Sequence, residues 1–143
     1  MAQHNTLGQQ GEDFAATFLQ NKGYNILDRN WKRGDLEIDI VAEQNDWIVF
    51  VEVKTRSSDK WGDPEDAVDE LRKKRLTAAA NAYIKYRKKD NPFRFDVIAI
   101  IMNGNGTDIR HIEEAFSPRP RFIGPGSMKP ENKWSKSFWK RRR

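Results

Sequence analysis

Four side chains have types and spacing that could do chemistry. Asp39 sits in an alternating segment, and after twelve intervening residues Glu52 and Lys54 follow on the apolar run Ile48-Val49-Phe50-Val51-Glu52-Val53-Lys54. Glu12 lies in an amphipathic helical segment, on or beside its apolar stripe. Charges at the end of a strand that is apolar on both faces are costly unless they pair or bind an ion. Crowded carboxylates repel one another, and a divalent cation is the ordinary way to hold them all ionised. With a lysine beside the ion, such a site could bind a phosphate, orient or deprotonate a water and stabilise a pentavalent transition state. The plainer alternative is a buried Glu52–Lys54 or Asp39–Lys54 ion pair with no further duty. Glu-x-Lys alone favours that alternative; the coincidence of all four residues disfavours it.

The elements that must position these residues are legible in the pattern. Residues 8–22 place Phe14, Ala15, Phe18 and Leu19 at helical spacing, ended by Gly23. Residues 24–31 read as a first strand, with a polar turn over 30–34. Residues 36–43 alternate, Gln44-Asn45 suits a hairpin tip, and residues 47–55 form a central strand. Pairing Glu43 with Asp46 would put Asp39 opposite Phe50 and make Glu52 its diagonal neighbour on the same face, with Lys54 two residues further along. Asp63-Pro64-Glu65-Asp66 reads as a helix start, with an interruption near Glu70 and a helix onward to about Lys88. That helix carries the apolar face Leu76, Ala79, Ala80 and Tyr83 and the basic turn Arg72-Lys73-Lys74-Arg75. Pro92 stops it. Residues 93–102 form an apolar strand, Asn103-Gly104-Asn105-Gly106 a turn, and residues 108–116 a last strand.

Composition narrows the class. At 143 residues the chain fits one ordinary domain. Without cysteine and with only His4 and His111, it holds no disulfide framework, zinc finger or thiol nucleophile. No apolar run approaches a membrane span, and the first residues lack a signal peptide's apolar stretch, so a soluble cytoplasmic protein is expected. The charge is split: residues 118–143 carry nine Lys/Arg against Glu131, or +8, so the other 117 residues hold −3 of the overall +5. A basic arm on an acidic body suits a polyanionic partner. The division expected is a domain over 1–117 and a basic, Pro- and Gly-containing, disordered tail over 118–143.

Gly11-Glu12, Ala15, Phe18-Leu19 and Gly23-Tyr24-Asn25-Ile26-Leu27-Asp28-Arg29-Asn30-Trp31, then Glu37-Ile38-Asp39-Ile40-Val41, then Val49-Phe50-Val51-Glu52-Val53-Lys54-Thr55-Arg56, resemble the small bacterial YraN-like proteins over about residues 7–116. That family resembles Holliday-junction resolvases of the PD-(D/E)XK nuclease superfamily. The resemblance implies a restriction-endonuclease-like α/β fold, a central mixed sheet flanked by helices. It also implies Asp39 and Glu52 as metal ligands, Lys54 as the catalytic lysine and Glu12 as a helix-borne acid of the site. Two positions depart from the pattern. Leu36 replaces the glycine usual before Glu-Ile-Asp, and the lysine expected at the start of the long helix aligns with Arg72 or Lys73.

The function expected is metal-dependent phosphodiester hydrolysis of DNA, selective for branched structure rather than sequence, with Mg²⁺ or Mn²⁺. Asp39, Glu52, Glu12 and the Val53 carbonyl would hold the ion, and Lys54 would assist the attacking water. Phosphate contacts are expected from Arg56, Arg72, Lys73, Lys74, Arg75 and the tail residues Lys140, Arg141, Arg142 and Arg143. DNA is the expected polyanion ahead of RNA, and a homodimer is the expected assembly for junction cleavage. The rival readings are a non-cleaving nucleic-acid-binding module and a protein-interaction adaptor that uses the tail. Glu37 is read as support for the site or a rim acid, Asp96 as a salt-bridge partner of Arg56 or Arg94, and His111 as an ordinary strand residue. The Arg33-Gly34-Asp35 tripeptide is read as coincidental.

Overall fold

Thr6 caps the first helix, α1 (Leu7–Asn21), by accepting the Gln9 N–H on its hydroxyl, and Gly23 ends it in the left-handed region at φ +94°. The computed structural model describes residues 6–57 and 68–117. After α1 the chain forms β1 (Asn25–Arg33), β2 (Leu36–Gln44), β3 (Trp47–Arg56), α2 (Glu70–Tyr86), β4 (Phe93–Asn103) and β5 (Gly106–Phe116). The five strands make one sheet in chain order, antiparallel except for the parallel β3–β4 pair, whose crossover carries α2. The expected α/β architecture, a mixed sheet flanked by helices, is the one observed.

Each helix covers one face. On β3, Val49 and Val51 pack with Ala15, Ala16 and Leu19 of α1, while Ile48 and Phe50 pack with Leu76, Ala79, Ala80 and Tyr83 of α2. Alternation along a strand sends neighbours to opposite faces, so a strand apolar on both must lie between two helices. The expected apolar face of α2 is buried as a set. Phe14 is not part of the α1 interface: it is 43% exposed, and the helix is buried through Gly11, Glu12, Ala15, Ala16 and Leu19 instead. Gly11 is required there, because a Cβ on it would stand 1.9 Å from the Thr55 hydroxyl oxygen.

Two local expectations are corrected. The β2–β3 turn is Asn45-Asp46, both at positive φ (+50° and +70°), rather than Gln44-Asn45. Two left-handed residues in succession match the strand twist, so Gln44 pairs with Trp47 and Phe50 lies opposite Val41, not Asp39. Residues 30–33 continue β1, and the turn falls at Gly34 (φ +62°). α2 starts at Glu70, where Asp69 accepts the Arg72 N–H at 2.8 Å, and the helix start expected at 63–66 lies outside the described residues, as does the 118–143 tail.

Candidate active site

The site forms where the sheet comes apart. β2 and β3 pair from Gln44–Trp47 to Ile40–Val51 and no further. One residue beyond, the Asp39 carboxylate accepts the Val53 N–H at 2.9 Å, a side chain standing in for a ladder carbonyl. The same point is irregular towards β1. Pairing skips from Arg29–Ile40 to Trp31–Ile38, leaving out Asn30, which sits at φ +52°. Ile38 packs on the α2 side and Ile40 on the α1 side, so the face alternation of β2 breaks at Asp39.

Glu52 and Lys54 lie on the α2 face of β3, beyond Phe50. Glu52 is 4% exposed and holds two cations. Arg72, from the first turn of α2, places its Nε 3.0 Å from Oε2 and its Nη2 3.0 Å from Oε1, a two-pronged fork. Lys54 Nζ stands 3.5 Å from Oε2. Among the described residues no such cation contacts Asp39. Burial, then the Glu52 charge and to a lesser degree Glu12, push its carboxyl up to about 7; the Val53 hydrogen bond and Arg72 work against them without prevailing. An acid displaced in this way beside a second carboxylate and a lysine makes this a candidate functional site.

Glu12 reaches the region from the opposite layer, since α1 covers the face away from Glu52 and Lys54. Its carboxylate accepts from Asn30 Nδ2 at 2.6 Å and Arg29 Nη2 at 3.2 Å. Among the described residues no three His, Cys, Asp or Glu side chains gather closely enough to hold a metal ion. Asp39 and Glu52 are the two carboxylates brought together. Two carboxylates with adjoining backbone oxygens, such as the Val53 carbonyl, form a hard-oxygen donor set suited to an ion like Mg²⁺ or Mn²⁺ that keeps several waters. The crowding that displaces Asp39 is what a bound cation would relieve.

Of the basic residues expected to meet phosphate, Arg72 is engaged by Glu52, Lys73 pairs with Glu70 at 3.3 Å, and Arg75 bonds the Asp35 carbonyl at 2.8 Å. Lys74 belongs to the same turn of α2, and exposed Arg56 at the end of β3 donates to the Thr55 carbonyl. Lys140, Arg141, Arg142 and Arg143 lie outside the described residues. Glu37 contributes to the field at Arg72, and the Asp35 carboxylate pairs with Arg75. The fork on Glu52 and the Asn30–Glu12 bond escape sequence reading.

A second charged cluster lies on the α1 face at β4–β5. Arg94 and Asp96 are 2% and 0% exposed. Asp96 accepts from Arg94 at 2.9 and 3.2 Å, from the Glu114 N–H at 3.0 Å and from His111 Nε2 at 2.7 Å; Arg94 also donates to the Tyr24 hydroxyl. Lys22 Nζ, a donor only, lies 2.8 Å from His111 Nδ1, which makes that nitrogen the acceptor and Nε2 the donor to Asp96. Of the two arginines expected as partners of Asp96, Arg94 is the one that pairs with it.

A mixed sheet between two helix layers, with Asp39 and Glu52-Val53-Lys54 placed where its central strand parts from its neighbour, is the restriction-endonuclease-like class of architecture. Within that class the chain belongs to UPF0102: the model of "Uncharacterised protein family UPF0102" matches residues 11–100. Its relatives include UPF0102 proteins of Bacteroides thetaiotaomicron (48% identical over 118 residues, 82% of this chain and 98% of the relative), Flavobacterium johnsoniae (47% over 120 residues, 81% and 98%) and Phocaeicola vulgatus (45% over 118 residues, 82% and 98%). These relatives match almost end to end, so this chain carries residues that they do not. No helix among the described residues is long and apolar enough to cross a membrane.

Proposed function

We propose that this protein is a nucleic-acid phosphodiesterase that hydrolyses DNA with Mg²⁺ or Mn²⁺ and selects branched structure rather than sequence. The observation that carries the reading is the convergence of Asp39 and Glu52 at the parting of β2 and β3, with Lys54 at 3.5 Å from Glu52. The ion, when bound, supplies positive charge to the phosphate and to the attacking water. Asp39 and Glu52 would hold it, with the Val53 carbonyl beside them. Glu12 maintains the field at Asp39 from the other layer. Lys54, its side chain 24% exposed, orients the water and meets the charge that develops on the phosphoryl oxygens. Lys73, Lys74, Arg75, Arg56 and the +8 segment 118–143 supply backbone contacts, which give salt-dependent affinity without base preference.

Incubating labelled duplex, single-stranded, flap and four-way-junction DNA with the protein in Mg²⁺ or Mn²⁺ tests the reading. Cleavage of a branched substrate that vanishes in Lys54→Ala is the expected result. The absence of any cleavage by the wild type overturns it. A second reading, a non-cleaving nucleic-acid-binding module, is favoured by the Arg72 fork that already satisfies Glu52. Salt-sensitive DNA binding without metal-dependent cutting would select it.

A further inference from the structure

Glu52 already has both carboxylate oxygens occupied, by the Arg72 fork and on one of them also by Lys54. A divalent ion can take that carboxylate only where one of these resident cations gives way. The two are not equivalent. Lys54 makes a single contact at 3.5 Å and lies in the same strand as Glu52, two residues on. Arg72 covers both Glu52 oxygens at 3.0 Å each, and it arrives from another element twenty residues away in sequence. Its side chain is 28% exposed, against 4% for Glu52, so its outer part already faces solvent. A guanidinium fork fits a phosphodiester's two non-bridging oxygens as well as it fits a carboxylate, which an ammonium does not.

We infer that Arg72 is an exchangeable clamp: it occupies Glu52 in the substrate-free protein and transfers its fork to a phosphate of the bound nucleic acid, freeing Glu52 for the cation. The inference rests on the proposed function and assigns to one residue the coupling between substrate and metal. Substrate brings the negative charge that draws Arg72 away, and the vacated carboxylate then takes the ion. Metal and nucleic acid therefore bind with positive cooperativity that passes through Arg72.

Calorimetric titration of the full chain with Mn²⁺ alone, and with Mn²⁺ in the presence of an uncleavable phosphorothioate four-way junction, tests this. The wild type is expected to bind Mn²⁺ about tenfold more tightly when the junction is present, within the usual range of coupling between sites. Arg72→Ala is expected to bind Mn²⁺ alone about tenfold more tightly than the wild type, to bind the junction more weakly in Ca²⁺, and to lose the cooperativity. Arg72→Lys, which keeps the charge without the fork, serves if the alanine variant does not fold; it is expected to gain Mn²⁺ affinity and lose part of the coupling. Unchanged or weaker Mn²⁺ binding in both variants, or full cooperativity without Arg72, overturns the clamp while leaving the nuclease reading standing. A wild type that binds no Mn²⁺ with or without the junction overturns both.

Discussion

Asp39 and Asp96 are aspartates drawn into the same sheet, and their surroundings push them in opposite directions. Asp96 is wholly buried, and burial alone would raise its pKa, yet the hydrogen bonds from His111 and Arg94 and the Arg94 charge hold it below the ordinary carboxylate range. Asp39 is less enclosed and is pushed up to about 7, by burial first and then by the charge of the Glu52 carboxylate, with no cation bonded to it among the described residues to offset them. The β4–β5 cluster is complete by itself: its acid is paired, the imidazole bonds on both ring nitrogens and the Tyr24 hydroxyl takes an Arg94 N–H. The β2–β3 site is complete only through a borrowed arginine. A network that satisfies every member holds a fold together, whereas one that leaves a carboxylate strained has room for a ligand.

Removing a partner from the complete cluster should have the largest effect. Asp96→Asn leaves the buried Arg94 guanidinium with only the half-exposed Glu113 carboxylate, at 3.8 Å, as counter-charge, and breaking a buried pair in this way costs about 3–5 kcal/mol. Urea denaturation should show it with and without Mg²⁺. A variant within about 1 kcal/mol of wild type would break the contrast between the two regions, since surface-like changes are that small.

Gly11→Ala should come next. Its Cβ would stand 1.9 Å from the Thr55 hydroxyl oxygen and 2.9 Å from Thr55 Cβ, so α1 must shift, at about 1–3 kcal/mol for overpacking. Thr55→Ala in the same background should recover part of the loss. That hydroxyl is buried without a hydrogen-bond partner, so its removal forfeits no bond. Thermal melting of the single and double variants checks the pair.

The pH dependence sharpens the comparison directly. The Asp39 carboxyl keeps its proton in the folded protein up to about pH 7, while in the unfolded chain it loses it near 3.8. Between these values the folded state binds more protons, so the Asp39 contribution to stability is present at low pH and is lost as pH rises through about 7. Asp39→Asn, which cannot ionise, should flatten that decline when unfolding free energies at pH 5 and pH 8 are compared. Identical pH profiles for wild type and variant would remove the strain assigned to this site.

Lys54→Ala should disturb stability least, by under about 1 kcal/mol, because Arg72 still covers both Glu52 oxygens. Cleavage should nonetheless fall by at least about a hundredfold, the low end for loss of a general acid–base group. A variant that melts much earlier, from a wild type that cuts nothing, would reduce Glu52–Lys54 to a structural pair.

Much of the fold could be read locally. The double-sided apolar run at 48–51, the Leu76-Ala79-Ala80-Tyr83 stripe and the Asn-Gly turn at 103–106 each declare their element, because side-chain period and turn sterics act over a few residues. The β2–β3 register was misread by two residues, with little harm. A shift of two keeps every side chain on its face, so Asp39 still came to Glu52. The departures fall where backbone conformation yields to distant partners. Asn30 was expected in a turn, but the pairs on either side of it, Arg29–Ile40 and Trp31–Ile38, keep it in the sheet, where its positive φ accompanies an amide bond to Glu12.

The sequence by itself determined which residues could do chemistry, Asp39, Glu52 and Lys54 among them, and the strands that carry them. That information is written in residue type and short-range period. Beyond the Glu52–Lys54 and Asp96–Arg94 pairs, legible two residues apart on one strand, tertiary structure decided which partners the charged groups meet. Arg72 reaches Glu52 across twenty residues, Arg29 reaches Glu12 across seventeen, and Arg94 reaches Tyr24 across seventy. The physical reason is that charge pairing follows distance in space. Which basic side chain lies within 3 to 4 Å of a given carboxylate is settled only when the apolar faces of both helices have docked on the sheet.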